Sequence, residues 1–390
     1  MEAEYTQYPQ KVITGIRTDI TRIRIRVKMA ELVFRRYKNP LLCLKILKTL
    51  TRHRREFSGE KIRKMVRVEG KYHWDLYVPG FKSQALNNFF KGEANRICSS
   101  GEKAPRFTNV LVAITKKCLL KCEHCFEWDA LNRKETLTLS GIRQIIRKFQ
   151  ERGTGQIQLM GGEPLLKMDD IVAILSSSKP ETEFWIFTSG YNLTLENAEK
   201  LKQTGLTGIV ISLDHFDPIL HNRFRGSSNS FNWVQAAVKN SIGANLVTAL
   251  SLCVTSAFVT ESNLMSYADL AKKMGVSFIQ ILEPVATGHY TGQDITLDAG
   301  HVKLLEDFYL KMNFDKRFRK YPIICYHGYY QRKVGCFGAG NRSLYIDTDG
   351  DLHACPFCRT KMGSALSGDL DHAVDQLVKT GCHQFETSRF

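Results

Sequence analysis

Residues 109–125 read NVLVAITKKCLLKCEHC, an apolar run that breaks into three cysteines spaced C-x3-C-x2-C. The run NVLVAIT (109–115) has the length and β-branched content of a strand buried on both faces. Cys118, Cys122 and Cys125 then fall on the loop at its exit. Clustered thiolates are soft ligands, suited to an iron–sulfur cluster or to zinc. Three of them fill three of the four iron positions of a cubane and leave one iron for a non-protein ligand. Zinc needs a fourth ligand, and the local candidate, His124, sits beside Cys125 in poor geometry for the same ion.

The pattern continues downstream. QIQLM (156–160), EFWIFTS (183–189), GIVISLD (208–214), LVTALSLCV (246–254) and VSFIQILEP (276–284) read as five more strands. Helical patterns near 140–152, 168–177, 195–204, 233–242 and 261–274 separate them. Strands alternating with helices imply βαβ units and a parallel sheet. The fold class is α/β, a partial barrel or an open doubly wound sheet, with ligands at the C-terminal strand ends.

With these residues in view, the segment resembles the radical S-adenosylmethionine (radical SAM) superfamily. Phe126 fits the aromatic this family usually has beside its last cysteine. Gly161-Gly162-Glu163-Pro164 follows the second strand and is similar to the GGEP motif that contacts the methionine amino group of SAM. Thr188-Ser189-Gly190 ends the third strand where the family commonly has Thr-Asn-Gly, so Ser189 departs from the pattern. Ser212-Leu213-Asp214 ends the fourth, and HNRFRG (221–226) resembles the segment that commonly follows it. Each motif alone is weak, since GGEP could be a plain strand-to-helix turn. Four in register on successive strand ends are specific, and the likeness covers roughly residues 107–284.

The resemblance implies a partial (β/α)6 barrel with a [4Fe-4S] cluster on Cys118, Cys122 and Cys125. It implies SAM on the open iron, cleaved by one-electron reduction to methionine and a 5′-deoxyadenosyl radical that abstracts hydrogen from a substrate. Phe126, Gly161, Gly162, Glu163, Pro164, Ser189, Ser212 and Arg225 are the implied cofactor contacts; for Arg225 a structural salt bridge is the competing reading. A one-electron donor such as flavodoxin or ferredoxin is implied as partner.

A second cysteine set lies near the C-terminus. LYIDTDGDLHAC (344–355) reads as a hairpin turning at Asp349-Gly350. Cys336, Gly350 and Cys355 are similar to the opening C-x(9–15)-G-x4-C of the SPASM/twitch extension, which holds auxiliary iron–sulfur clusters. The further cysteines of the full SPASM pattern are absent, so one auxiliary cluster on Cys336, Cys355, Cys358 and Cys382 is expected, with Cys325 as a substitute ligand. A zinc knuckle on the same four thiolates is the alternative. Cys43, Cys98 and Cys253 read as packed thiols.

Composition bounds the rest. The chain has 390 residues, 43% apolar and 24% charged, which excludes a disordered or collagen-like class and leaves room for two to three domains. Its 11 cysteines are an odd number in a chain without a visible signal, which favours metal or catalytic thiols over disulfides. The first ten residues carry no apolar h-region, so no secretory leader is expected. No stretch is apolar for long enough to span a bilayer. A cytoplasmic location follows, with peripheral attachment to the inner membrane face as a variant. The net charge of +16 is concentrated: residues 11–71 hold 19 Lys and Arg against 5 acids. Within them ITRIRIRVK (20–28) alternates apolar and basic as a strand or extended arm would. From Pro40 a basic amphipathic helix is expected, with Leu41, Leu42, Leu44, Ile46, Leu47 and Leu50 on its apolar face. Such a helix docks on an anionic membrane or packs on the next domain. The segment lacks the interleaved aromatics of a nucleic-acid platform.

Three regions are therefore expected: a basic amphipathic one (1–105), the radical SAM core (106–315) and a small cysteine-rich extension (316–390). The substrate is a peptide or protein, a lipid, or another small molecule, with Glu283 and His289 as pocket candidates at strand ends. The alternative is a non-enzymatic basic zinc protein that binds nucleic acid or serves as a scaffold.

Overall fold

The computed structural model describes residues 11–58, 62–99, 101, 107–336, 338–382 and 385. Most of the expected linker at 99–106 and the first ten residues lie outside them.

An N-terminal layer comes first: β1 (Lys11–Thr14), α1 (Ile16–Tyr37), α2 (Pro40–Ser58), β2 (Lys64–Val68), β3 (Lys71–His73) and α3 (Ala85–Ile97). Its three strands form an antiparallel sheet in the order β1-β2-β3. The segment ITRIRIRVK is not extended: it lies wholly within α1. Wound as a helix, the same letters bury Thr21 and Ile25, in line with Thr18 and Val33 of the same helix, while Ile20, Ile23 and Val27 face outward. Two-residue alternation and a helical stripe coincide over so short a run, and packing on α3 decides between them. In α2, Cys43 and Ile46 are buried, while Leu41 and Leu44 stand 80% and 58% exposed, so the expected apolar residues divide between a packed face and an open one.

The core follows as β4 (Asn109–Ala113), α4 (Leu139–Glu151), β5 (Gln156–Met160), α5 (Met168–Ser176), β6 (Glu183–Thr188), α6 (Leu195–Gln203), β7 (Leu206–Ser212), α7 (Pro218–Arg225), α8 (Ser230–Gly243), β8 (Val247–Cys253), α9 (Glu261–Met274) and β9 (Phe278–Leu282). Then come α10 (Ala299–Phe314), β10 (Ile323–Tyr326), α11 (His327–Val334), β11 (Ser343–Ile346), β12 (Leu352–His353) and α12 (Leu370–Thr380). The six expected strands are all present and parallel, in sequence order. The sheet is larger than expected: β10 pairs in parallel with β9, β11 in parallel with β4, and β12 closes the hairpin antiparallel to β11. The result is an open nine-stranded sheet, β10-β9-β8-β7-β6-β5-β4-β11-β12.

Period-two alternation sorts the two faces of this sheet. Ile157, Leu159, Ile186, Ile209, Leu250 and Ile279 meet the helices. Trp185, Val210, Val247, Ala249 and Phe278 point the other way and pack against Val66, Val68 and Leu76 of the N-terminal layer. That layer therefore fills one end of the concave inner face. Helices begin on side-chain caps: Thr138 accepts from Gly141 N, Thr194 from Asn197 N, Thr260 from Asn263 N and Asp217 from Ile219 N, at 2.8–3.2 Å.

Candidate active site

The loop bearing Cys118, Cys122 and Cys125 is held from four sides by hydrogen bonds. Gly162 N donates to Thr115 O (2.8 Å) and Glu163 N to Lys117 O (2.7 Å), so the GGEP turn is zipped to the loop's start. A Cβ on Gly162 would fall 2.2 Å from Lys117 O, and one on Gly161, at φ +136°, 2.6 Å from Thr115 O. Both positions therefore demand glycine. The end of α7 supplies a second strap, with Lys121 N donating to Arg225 O (3.2 Å) and Glu123 N to Phe224 O (3.0 Å). Asn132 clasps Cys118 on both sides, accepting from its N–H (3.0 Å) and donating to its carbonyl (3.1 Å). The fourth strap is Gly288-His289: His289 N donates to Cys125 O (2.9 Å), and its ring stacks on Trp128 at 3.8 Å. His289, expected at the substrate pocket, thus braces the cysteine loop.

The strand ends beyond the loop form one buried polar network. The Glu163 carboxylate accepts from Leu165 N (3.0 Å), Thr188 Oγ1 (2.6 Å) and Ser189 N (2.8 Å). Burial pushes its pKa up, against the pull of these donors. Its side chain and the Ser189 hydroxyl are thereby spent on each other, so in this arrangement neither reaches out to a ligand. Pro164 opens a short 3-10 turn, and Ser212 is the half-buried last residue of β7. Arg225 pairs with buried Asp214 at 2.5 Å and donates to the Cys122 sulfur at 3.5 Å. Burial would raise Asp214, but Arg225 holds it below the usual carboxylate range. The salt-bridge reading of Arg225 is present, and the same side chain also touches a candidate ligand.

The triad thiols are themselves largely buried, and burial pushes Cys118 up to about 11 and Cys125 up to about 12. Cys122 and Cys118 both raise Cys125 further, which places the three within electrostatic reach of one another. The C-terminal set is gathered too. Cys336 shares a hydrogen bond with Cys382 and Cys355 with Cys358, and the charge of Cys382 acts on Cys355. Cys325 is elsewhere, fully buried in β10 beside Asp75 and Leu76, so Cys382 and not Cys325 stands with the other three. Among the described residues no group of three or more His, Cys, Asp or Glu converges as for a single metal ion. Three and four gathered thiolates are soft donors of the kind that fit an iron–sulfur cluster.

The hairpin β11–β12 ties the two cysteine sets together, a feature no motif announced. Arg359 pairs with Glu127 at 2.7 Å, and the Tyr345 hydroxyl donates to the same carboxylate. Lys116 pairs with Asp349 at 2.6 Å. The Phe126 ring meets Tyr345 and Phe357 edge-on at 5.9 and 6.0 Å.

One cavity of about 940 Å³ joins these parts. Phe126 and Met160 border it on the loop side, Cys336, Cys355, Cys358 and Cys382 on another wall, and α1, α2 and α3 on a third. Glu283 lines it as expected, paired with Arg332 at 2.8 Å and accepting from the Tyr326 hydroxyl at 2.6 Å.

Residues 112–275 match the radical SAM superfamily. A probable GTP 3′,8-cyclase of Archaeoglobus fulgidus is 38% identical over 112 residues, 28% of this chain and 36% of the cyclase. This chain therefore matches only about a third of that relative. Among solved structures, Streptococcus suis SuiB bound to its precursor peptide SuiA superposes with a TM-score of 0.59 at 16% identity, covering 76% of this chain and 72% of SuiB. Native anSMEcpe with bound AdoMet gives 0.54 at 16% identity, covering 70% of this chain and 83% of that one. These likenesses show the fold. Strand order, cysteine loop and the match over residues 112–275 agree: that segment of the chain is similar to the radical SAM superfamily, whose members carry a [4Fe-4S] cluster and SAM.

Proposed function

We propose that the chain abstracts hydrogen from a substrate held in the 940 Å³ cavity, with a second iron–sulfur cluster on Cys336, Cys355, Cys358 and Cys382 in the wall of that cavity. Cluster and SAM together supply, when bound, the one-electron cleavage that makes a 5′-deoxyadenosyl radical able to attack an unactivated C–H bond. Cys118, Cys122 and Cys125 are the residues to hold the first cluster, and Arg225 the group to fix the Cys122 sulfur. Gly161 and Gly162 give the loop its close approach to β5, and Phe126 and Met160 keep water from the reacting side. The carrying observation is that four gathered cysteines and Phe126, the residue after the last cysteine of the triad, border one and the same cavity.

Radical SAM enzymes need an electron donor; flavodoxin or ferredoxin fits that role here. Among the described residues no helix is long and apolar enough to cross a membrane. The outer face of α1 nonetheless presents Ile16, Ile20, Ile23, Val27 and Phe34 to solvent, flanked by Arg17, Arg24 and Arg35. This face is proposed to rest on an anionic lipid surface, which favours a lipid or membrane-borne substrate over a free peptide.

Anaerobic reconstitution with iron and sulfide analysis tests the reading. The wild type should bind about eight irons and the Cys336/Cys355/Cys358→Ala variant about four. The triple variant should still form 5′-deoxyadenosine, and Cys122→Ala should form none. Equal iron in wild type and triple variant removes the second cluster; turnover in Cys122→Ala removes the assignment of the first.

A further inference from the structure

Building on the reading that substrate occupies this cavity, we propose that Arg22, Arg26 and Arg54 form an anion subsite in its wall, and that the substrate carries a phosphate-type group on an apolar body. Arg22 and Arg26 lie one turn apart on α1, hence on one face, and Arg54 lines the same cavity from α2. Arg22 is only 15% exposed; it is anchored by Asp19 at 2.6 Å and donates to Ile62 O at 3.3 Å. Burial lowers the pKa of Arg54, and Arg26, Arg22 and Arg55 lower it further. Like charges gathered at a half-buried wall repel one another, and an anion between them relieves that repulsion.

The acids that share the cavity are engaged elsewhere. Glu93 pairs with Arg342 at 2.8 Å and Arg96 at 3.3 Å, and Glu283 with Arg332. Asp75 accepts from Tyr77 N at 2.8 Å, and burial pushes its carboxyl up to about 6. A planar guanidinium fork matches the oxygens of a phosphate, which makes that group the best-fitting anion. Beside the arginines the wall carries Ile25, Met29, Leu50, Trp74, Phe89 and Phe90, with His53, Arg63 and Lys64 adding basic groups. The volume lies within the roughly 300–1,000 Å³ usual for small-ligand sites. An anionic head at α1–α2 would leave the apolar body extending toward Phe126 and the gathered cysteines. Phosphate of this kind comes from a lipid headgroup or from a soluble phosphate ester.

Isothermal titration of the anaerobically reconstituted holoenzyme separates these cases. Monomeric decyl phosphate should bind about tenfold or more tightly than uncharged decyl maltoside, and Arg26→Gln and Arg54→Gln should each erase that preference. Arg26 is exposed on α1, so its exchange leaves the core intact; Arg54→Lys, which keeps the charge and loses the fork, should restore only part of the preference. Phosphatidylcholine vesicles with and without phosphatidic acid form the second arm. Vesicle binding that depends on phosphatidic acid and on Arg54 assigns the site to a lipid head. Binding of the monomer alone assigns it to a soluble ester, and both results uphold the subsite. Equal affinity for the two decyl compounds, or a preference unchanged in both variants, overturns it. The titration needs no radical chemistry. Lost 5′-deoxyadenosine formation with the preference intact therefore counts against the reaction alone, and lost preference with turnover intact against the subsite alone.

Discussion

One carboxylate, that of Glu163, holds the ends of β5 and β6 in register by accepting from Thr188, Ser189 and Leu165. An amide in its place turns a donor toward those donors, and unsatisfied buried groups cost about 1–3 kcal/mol. Glu163→Gln should lose about 2 kcal/mol in chemical denaturation, and SAM retention on equilibrium dialysis should fall with it. Gly288 makes a sharper case. Its φ is +58°, and a Cβ there would lie 2.2 Å from Cys125 O. Gly288→Ala should therefore displace the fourth strap and lower iron uptake at the triad, read as absorbance of the reconstituted protein. The triad was legible from its spacing, and the GGEP turn from its resemblance to a family motif in register on the next strand end. It was silent on Gly288, Asn132 and Glu127, whose importance lies in what they meet across long loops.

At the scale of elements, β4 to β9 could be read because each is a run of apolar residues long enough to be covered on both faces. The strands β10 and β11 were not expected as members of the same sheet. They are four residues each, and their partners β9 and β4 are fixed by tertiary pairing. The helix α1 misled for the opposite reason, since its outward isoleucines break the amphipathic pattern an ordinary surface helix shows. Those isoleucines are largely open, Ile20 46% and Ile23 58% exposed. Ile20→Ser together with Ile23→Ser should leave the melting temperature within about a degree, since exposed exchanges away from special features are nearly neutral. The same pair should weaken flotation with acidic vesicles, and unchanged flotation would count against lipid docking by α1.

Across the whole molecule, the N-terminal layer closes the inner face of the sheet through His73 as well as its apolar residues. The His73 ring lies near Trp185, at 6.4 Å between centroids. Burial lowers His73 to about 3 and His327 to about 4, whereas both titrate near 6.5 when unfolded. Below about pH 6.5 the unfolded chain therefore gains protons that the native chain refuses. Stability falls as pH falls, by up to about 1.4 kcal/mol per pH unit for each group. Asp75, raised to about 6, takes up a proton in the native state first and offsets part of this loss below that pH. Urea midpoints should drop between pH 7 and pH 5, and His73→Phe should flatten the decline by about a quarter, since burial lowers His124 and His221 to about 4 as well.

The bonds from Glu127 to Tyr345 and Arg359, and from Lys116 to Asp349, join the cysteine loop directly to the C-terminal hairpin and the loop that follows it. Oxidative damage at either sulfur-rich centre would consequently be transmitted to its neighbour as slack. The chain should fail as one piece under air, and hydrogen exchange should quicken on both sides of the cavity together.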